Sequence, residues 1–179
     1  MANAHAAPTL IGCPRTWTAG FPAWVHDARG AELILRETRP DDADAIRDLH
    51  ARCSEGSLRW RYFSSTSQVE RVLEWMFDSR KGRSVGVRAH GRLVGVAQLV
   101  RTDTPGVAEV AFLVEDEWQN RGIGSMLVDL LTKLAEDAGY ARVRADVATD
   151  NDRMRHILLA RGWSARFNDG IHELELDLD

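Results

Sequence analysis

The longest periodic segment of the chain places the tightest limit on its fold. Ile123, Met126, Leu127, Leu130, Leu131, Leu134, Ala135 and Ala138 recur at three- and four-residue spacing up to Gly139, which makes one broad apolar helical face. Such a face needs a partner surface, and the flanking segments supply strands. "SVGVRAHGRLVGVAQLVR" reads as two strands turning at His90-Gly91, "VAEVAFLV" as a third and "ARVRADVA" as a fourth. The helix is therefore predicted to lie on a sheet.

Around this centre the remaining elements fall into order. "AWVHDARGAELILRE" carries a hairpin signal at Asp27 to Gly30. "RPDDADAIRDLHARC" starts a helix at Pro40, with acids in its first turn and Ala43, Ile46, Leu49 and Ala51 as its apolar stripe. A less regular helical region covers "SLRWRYFSS" and "QVERVLEWMFD". Asn151 to Arg161 is a short helix ended by Gly162, and "IHELELDL" is an alternating last strand. The predicted order is β, α, α, β, β, β, α, β, α, β, β. Residues 1–22 are rich in Ala, Pro, Thr and Gly without periodicity and are expected to form an extended or flexible arm, leaving 23–179 as one domain.

Composition narrows the partners. A net charge of -4 over 179 residues gives no general attraction to nucleic acid or to anionic membranes. No segment reaches the roughly 18 uninterrupted apolar residues of a membrane-spanning helix. Cys13 and Cys53 are too few for a disulfide framework, and no Cys/His cluster has zinc spacing, so no metal site and a reducing, cytoplasmic setting are expected. "LIGC" at Leu10 to Cys13 imitates a lipoprotein cleavage box but lacks a basic start and a long apolar run before it.

Two features carry chemistry. Gln119-Asn120-Arg121-Gly122-Ile123-Gly124 lies between a strand and the long helix, where unpaired N–H groups and the positive end of the helix dipole favour phosphate. A structural turn is the plain alternative for a lone G-x-G. A dinucleotide loop is excluded because Leu127 occupies the third glycine position, and no G-K-S/T follows for a triphosphate loop. The second feature is Glu109, a carboxylate inside an apolar strand. Burying it unpaired costs several kcal/mol, so either an ion pair with an arginine such as Arg101 or a proton-transfer role must explain it.

"QNRGIG" before an apolar helix, "AEVAF" ahead of it and "NDRMRHILLARGW" after the next strand together resemble the GCN5-related N-acetyltransferase superfamily over about Ala23 to Asp179. The resemblance implies an α/β (α+β) fold, with a central mixed, mostly antiparallel sheet splayed in a V and flanked by helices. It further implies acetyl-CoA as cosubstrate. Main-chain amides of Gln119, Asn120, Arg121, Gly122, Ile123, Gly124 and Ser125 would cradle the pyrophosphate. Phe112, Leu113 and Val114 would run beside the pantetheine arm, and Asn151 would contact the cofactor unless it is simply a helix cap.

By the same resemblance Glu109 is the general base, taking a proton from an amine whose unperturbed pKa is about 10.4 for lysine. A main-chain N–H near Leu113 or Val114 would receive the oxyanion. Relatives with a tyrosine acid carry it seven residues after the asparagine; Leu158 stands there. "RPDD" and "SLRWRYF" are similar to the start of the domain in bacterial Pat-type protein lysine acetyltransferases, implying a protein lysine acceptor. A small amine (polyamine, amino acid or antibiotic) is the alternative acceptor, and a non-catalytic acyl-CoA sensor a further one. A monomer or homodimer is expected. Arg59, Trp60, Arg61 and Tyr62 read most simply as a helix turning its rings inward and its guanidinium groups outward, and His50, His90, His156 and His172 show no triad or ligand spacing.

Overall fold

A computed structural model describes residues 21–64 and 69–178. The expected arm at 1–22, with Cys13, lies almost wholly outside the described residues. Strand β1 (Ala23–His26) and strand β2 (Glu32–Glu37) form the predicted hairpin. Its turn is closed by Asp27 Oδ1, which accepts the N–H groups of Arg29 and Ala31 at 2.9 and 2.8 Å.

A 3-10 turn at Pro40–Asp42 leads into helices α1 (Ala43–Arg52), α2 (Glu55–Tyr62) and α3 (Val69–Met76). Strands β3 (Gly82–Ala89), β4 (Arg92–Arg101) and β5 (Val107–Val114) follow as an antiparallel meander. Helix α4 (Ile123–Asp137), strand β6 (Arg142–Ala148), helix α5 (Asp152–Leu159) and strands β7 (Ser164–Asn168) and β8 (Ile171–Asp177) complete the chain. The sheet order is β1-β2-β3-β4-β5-β6-β8-β7, and every neighbouring pair is antiparallel except β5 with β6.

The sheet separates two cores. On one face α4 buries Ile123, Met126, Leu127, Leu130, Leu131, Leu134 and Ala135 against strand residues such as Ala108, Val110 and Val143. Each large apolar side chain buried there contributes about 1.5–3 kcal/mol. Ala138 is exposed just past the helix end, so the predicted stripe stops one turn early. On the other face α1 and α3 pack Ile46, Leu49, Leu73 and Met76 against Leu93, Val96 and Leu113. Side chains alternate along β5, so Ala108 and Val110 face α4, whereas Glu109, Ala111 and Leu113 face the α1–α3 side.

The β5–β6 pairing decides where a ligand can enter. Register is kept only through Val107–Arg142, Ala108–Val143 and Glu109–Arg144. Beyond Glu109 the two strands continue without pairing to each other, which opens a V between them and matches the splayed sheet that the resemblance implies. A parallel pair joined by a long crossover can diverge in this way, because no hairpin turn holds its far ends together.

Candidate active site

A cavity of about 580 Å³ fills the V. Its strand wall is the free side of β5. The N–H of Glu115 bonds Val94 on β4 at 2.9 Å, and main-chain direction alternates along a strand. The N–H and C=O groups of Val110, Phe112 and Val114 therefore turn away from β4 and into the V; the Val114 carbonyl indeed accepts Gln119 Nε2 at 2.9 Å. Unpaired strand groups facing a cleft can bond an extended amide-bearing ligand as an added strand. Phe112 and Val114 line the cavity in this way. Leu113 borders it too, but it buries its side chain in the α1–α3 core, and the same alternation points its N–H at β4.

The floor at the far end is the turn into α4. Asn120 and Gly122 both take positive φ, +57° and +81°, and Gly122 is the residue before the helix. Gly124 keeps an ordinary helical backbone; a Cβ there would meet Ile157 Cδ1 at 3.5 Å and Met154 Cε at 4.0 Å. The turn needs glycine at 122 for its backbone. Nothing inside the protein needs it at 124, where its lack of a side chain leaves the helix N-terminus open to the cavity. The first turn of α4 contains no acidic residue, so its N–H groups and dipole are left to an anion. Gln119, Asn120, Gly122, Gly124 and Ser125 all line the cavity.

Two members of that run turn elsewhere. Ile123 is buried in the α4 core. The Arg121 guanidinium lies over the Trp118 ring at 4.3 Å and 3.5 Å from buried Asp27. Its side chain ties the β1–β2 turn to this loop instead of facing phosphates, and only its main chain can join a cradle. Asn151 lines the cavity and also caps α5, accepting the Met154 N–H at 3.2 Å.

Gln119 is held by more than its loop. It donates to Ser57 Oγ at 2.9 Å, and Ser57 donates to Asp116 at 2.9 Å, which also accepts the N–H and hydroxyl of Ser54. Burial pushes the Asp116 carboxyl up, but these donors outweigh it and hold it below its ordinary value. This network fastens α2 to the β5–α4 turn. Gln119 also accepts from Arg153 on α5, a cation on the cavity wall that no sequence motif singles out.

Glu109 stands at the apex of the V. The competing ion pair exists, but with a different partner: Arg144 Nη2 lies 3.0 Å from Glu109 Oε2, while Arg101 stands opposite Ala108 in the β4–β5 register, one residue off Glu109. The carboxylate is also only partly buried: the Glu109 side chain is 34% exposed and faces the cavity. Its other oxygen, Oε1, makes no hydrogen bond among the described residues. Across the V, Asp146 lines the same cavity; burial and then the charge of Glu109 push its carboxyl up, against Arg144.

The aromatic-basic segment of α2 also departs from its simplest reading. Trp60, Arg61 and Tyr62 all line the cavity. Arg61 turns inward and donates to Gln98, and Arg59 and Trp60 bond Asp150 across the mouth of the V, Trp60 at 3.0 Å. Tyr62 meets His50 Nε2 at 2.6 Å, and His50 Nδ1 meets the Ile46 carbonyl at 2.7 Å. Burial lowers the His50 pKa, so the ring is neutral. Nδ1 then donates to the carbonyl, Nε2 accepts, and the Tyr62 hydroxyl proton is committed inward. Leu158, at the position of a tyrosine acid, is fully buried. His90, His156 and His172 build no shared site, and no group of His, Cys, Asp or Glu suited to a metal occurs among the described residues. No described helix is long and apolar enough to cross a membrane.

A splayed mixed sheet with a strand–glycine turn–helix at the mouth of the V defines an acetyltransferase of the GNAT fold, and the chain belongs to that family: residues 29–163 match the acetyltransferase (GNAT) family. Among proteins of known role it is 32% identical over 178 residues to acetyltransferase Pat of Mycolicibacterium smegmatis, covering 94% of this chain and 53% of that protein. The chain thus spans about half the length of that relative. The GNAT domain of S. lividans PAT superposes with a TM-score of 0.79 at 25% identity, covering 88% of this chain and 97% of that one. The fold is also shared with yncA of Salmonella typhimurium, solved with its cofactor acetyl-CoA, at a TM-score of 0.67 and 17% identity over 82% of this chain and 94% of the other.

Proposed function

We propose that residues 23–179 form an acetyl-CoA-dependent N-acetyltransferase that modifies a protein lysine side chain by direct transfer. The observation that carries this reading is that β5 parts from β6 immediately beyond Glu109. One strand therefore offers both free main-chain groups for a pantetheine arm and a carboxylate at its apex. The cavity offers acetyl-CoA two seats: the Gly122–Ser125 end of α4, with Arg153 nearby, for the pyrophosphate, and Phe112 and Val114 for the arm.

In the reaction the lysine amine forms a C–N bond to the thioester carbonyl carbon and the C–S bond breaks. Glu109 Oε1 takes the amine proton, directly or through one water, while Arg144 holds Oε2 and orients the carboxylate. A β5 N–H that faces the V, that of Phe112 or Val114, receives the oxyanion; Leu113 donates toward β4 and is set aside. Neither Leu158 nor Tyr62 supplies a free acid, so the departing thiolate, whose thiol has an ordinary pKa near 8.5, takes its proton from water.

The protein acceptor is supported by the likeness to Pat. A panel comprising a lysine-containing protein, a lysine peptide and small amines, followed by thiol release, tests it. Release with protein and peptide is expected. Release with small amines alone would refute protein acetylation, and coenzyme binding without release to any acceptor would make the domain a sensor.

A further inference from the structure

A second cavity of about 350 Å³ meets the first at Glu109, Ala111, Arg61 and Tyr62. It is walled by Arg71 and Trp75 on α3 and by Gln98 and Val100 on β4. It therefore opens on the acceptor side of Glu109, away from the V.

Its charge is unbalanced. The one carboxylate on its wall among the described residues, Glu109, is already matched by Arg144. Arg61 donates to the neutral amide oxygen of Gln98 and is drawn electrostatically to Glu109 without forming an ion pair with it. Arg71, exposed in the first turn of α3, makes no hydrogen bond or ion pair among the described residues. Lys81 Nζ lies 4.2 Å from the Trp75 ring centre, behind that wall, and shares its charge with the Asp78 carboxylate. Two guanidinium groups share a cleft with one carboxylate that Arg144 already pairs, and this excess of positive charge disfavours an ammonium and attracts an anion. They favour an incoming amine in its neutral, nucleophilic form, and they leave a place for a negative group carried beside it.

Resting on the acetyltransferase reading, we propose that this cavity is an acceptor subsite for an amine borne next to an anionic group, with Arg71 binding the anion. Guanidinium pairs carboxylates with two parallel hydrogen bonds, which makes Arg71 a specificity residue and not merely a source of positive potential. The anion is either an acidic residue beside a target lysine or the α-carboxylate of a free amino acid.

The test uses three lysine peptides that differ only in a Glu, Gln or Arg next to the lysine, together with free lysine and lysinamide. Each is assayed for kcat/KM with acetyl-CoA and for binding to the protein saturated with coenzyme A. For the wild type the Glu peptide should exceed the Gln peptide by about two- to fivefold, the range of an exposed charge pair, and Arg71→Glu should reverse the order in favour of the Arg peptide. The same margin for free lysine over lysinamide, with no difference among the peptides, supports the subsite with an amino acid as its source. Equal constants within both sets, or a preference that Arg71→Glu leaves in place, overturns the proposal. If no acceptor is acetylated, the acetyltransferase reading falls, and the binding constants still decide the subsite: a charge preference upholds it and equal constants overturn it.

Discussion

Gly124→Asp separates the stability of α4 from the phosphate-seating role proposed for its first turn. The substitution lies in the first turn of α4, which holds no acid, and the new Cβ makes only ordinary contacts with Ile157 and Met154. Replacing a helical glycine and placing a carboxylate at the positive end of the dipole should together stabilise the fold by about 0.5–1 kcal/mol. For a domain of this size that raises Tm by about 1–4 °C. The same carboxylate would face a pyrophosphate at about 5 Å; at an effective dielectric of about 20 this costs roughly 3 kcal/mol per unit charge. Acetyl-CoA affinity should therefore fall a hundredfold or more, since about 1.4 kcal/mol is a factor of ten. Thermal unfolding without ligand and calorimetric titration with acetyl-CoA read the two effects on one sample. A more stable variant with undiminished affinity would refute the cradle, because the phosphates would then bind elsewhere.

Two further outcomes follow from buried groups away from the V. Asp42, with its side chain only 4% exposed, pairs with Arg36 and Arg88; burial opposes its charge, but the Arg36 pair, the Arg39 N–H and Arg88 bring it down to about 2. Its folded-state pKa is depressed, so its contribution of about 2 kcal/mol is complete above the ordinary carboxylate range and disappears as pH falls from about 4 through about 2. Asp42→Asn should lower stability at neutral pH and flatten denaturant midpoints over that acid window; a mutant whose midpoint tracks the wild type at neutral pH would contradict the pairing. Cys53 is buried, and burial, then Asp116 and Glu115, push its thiol up to about 12. In a Cys13→Ser background, iodoacetamide at about pH 8 should modify Cys53 only after unfolding; rapid labelling of the folded protein would show that the site is open.

The parts of this site legible in the sequence are those written in local pattern. The α4 stripe follows from spacing alone, and the glycine turn from its position between a strand and that helix. Glu109 stands out because its neighbours are apolar, yet its partner is not legible. The nearest arginine along the meander is Arg101, whereas the true one, Arg144, lies on a parallel strand reached through α4, and no turn chemistry specifies that register. The side chain of Arg121 escapes sequence reasoning for a related reason: its partner Asp27 is 94 residues away, in the first hairpin. The α2 wall is hidden because a short helix with a weak apolar stripe does not announce its inner face. Tyr62 turns inward as its ring predicts, but Arg61 does so against expectation because Gln98, supplied by another element, accepts its hydrogen bond.

The central claim is that Glu109, at the apex of the V, accepts the acceptor's proton. Its most direct test is the turnover rate of Glu109→Gln at saturating acetyl-CoA and lysine peptide, with the acetyl-CoA dissociation constant measured in parallel. The dissociation constant should be unchanged and the rate about a hundred- to ten-thousandfold lower, the usual contribution of a positioned base. A rate within a fewfold of the wild type, with binding intact, would remove Glu109 as the base and leave it as the partner of Arg144 alone.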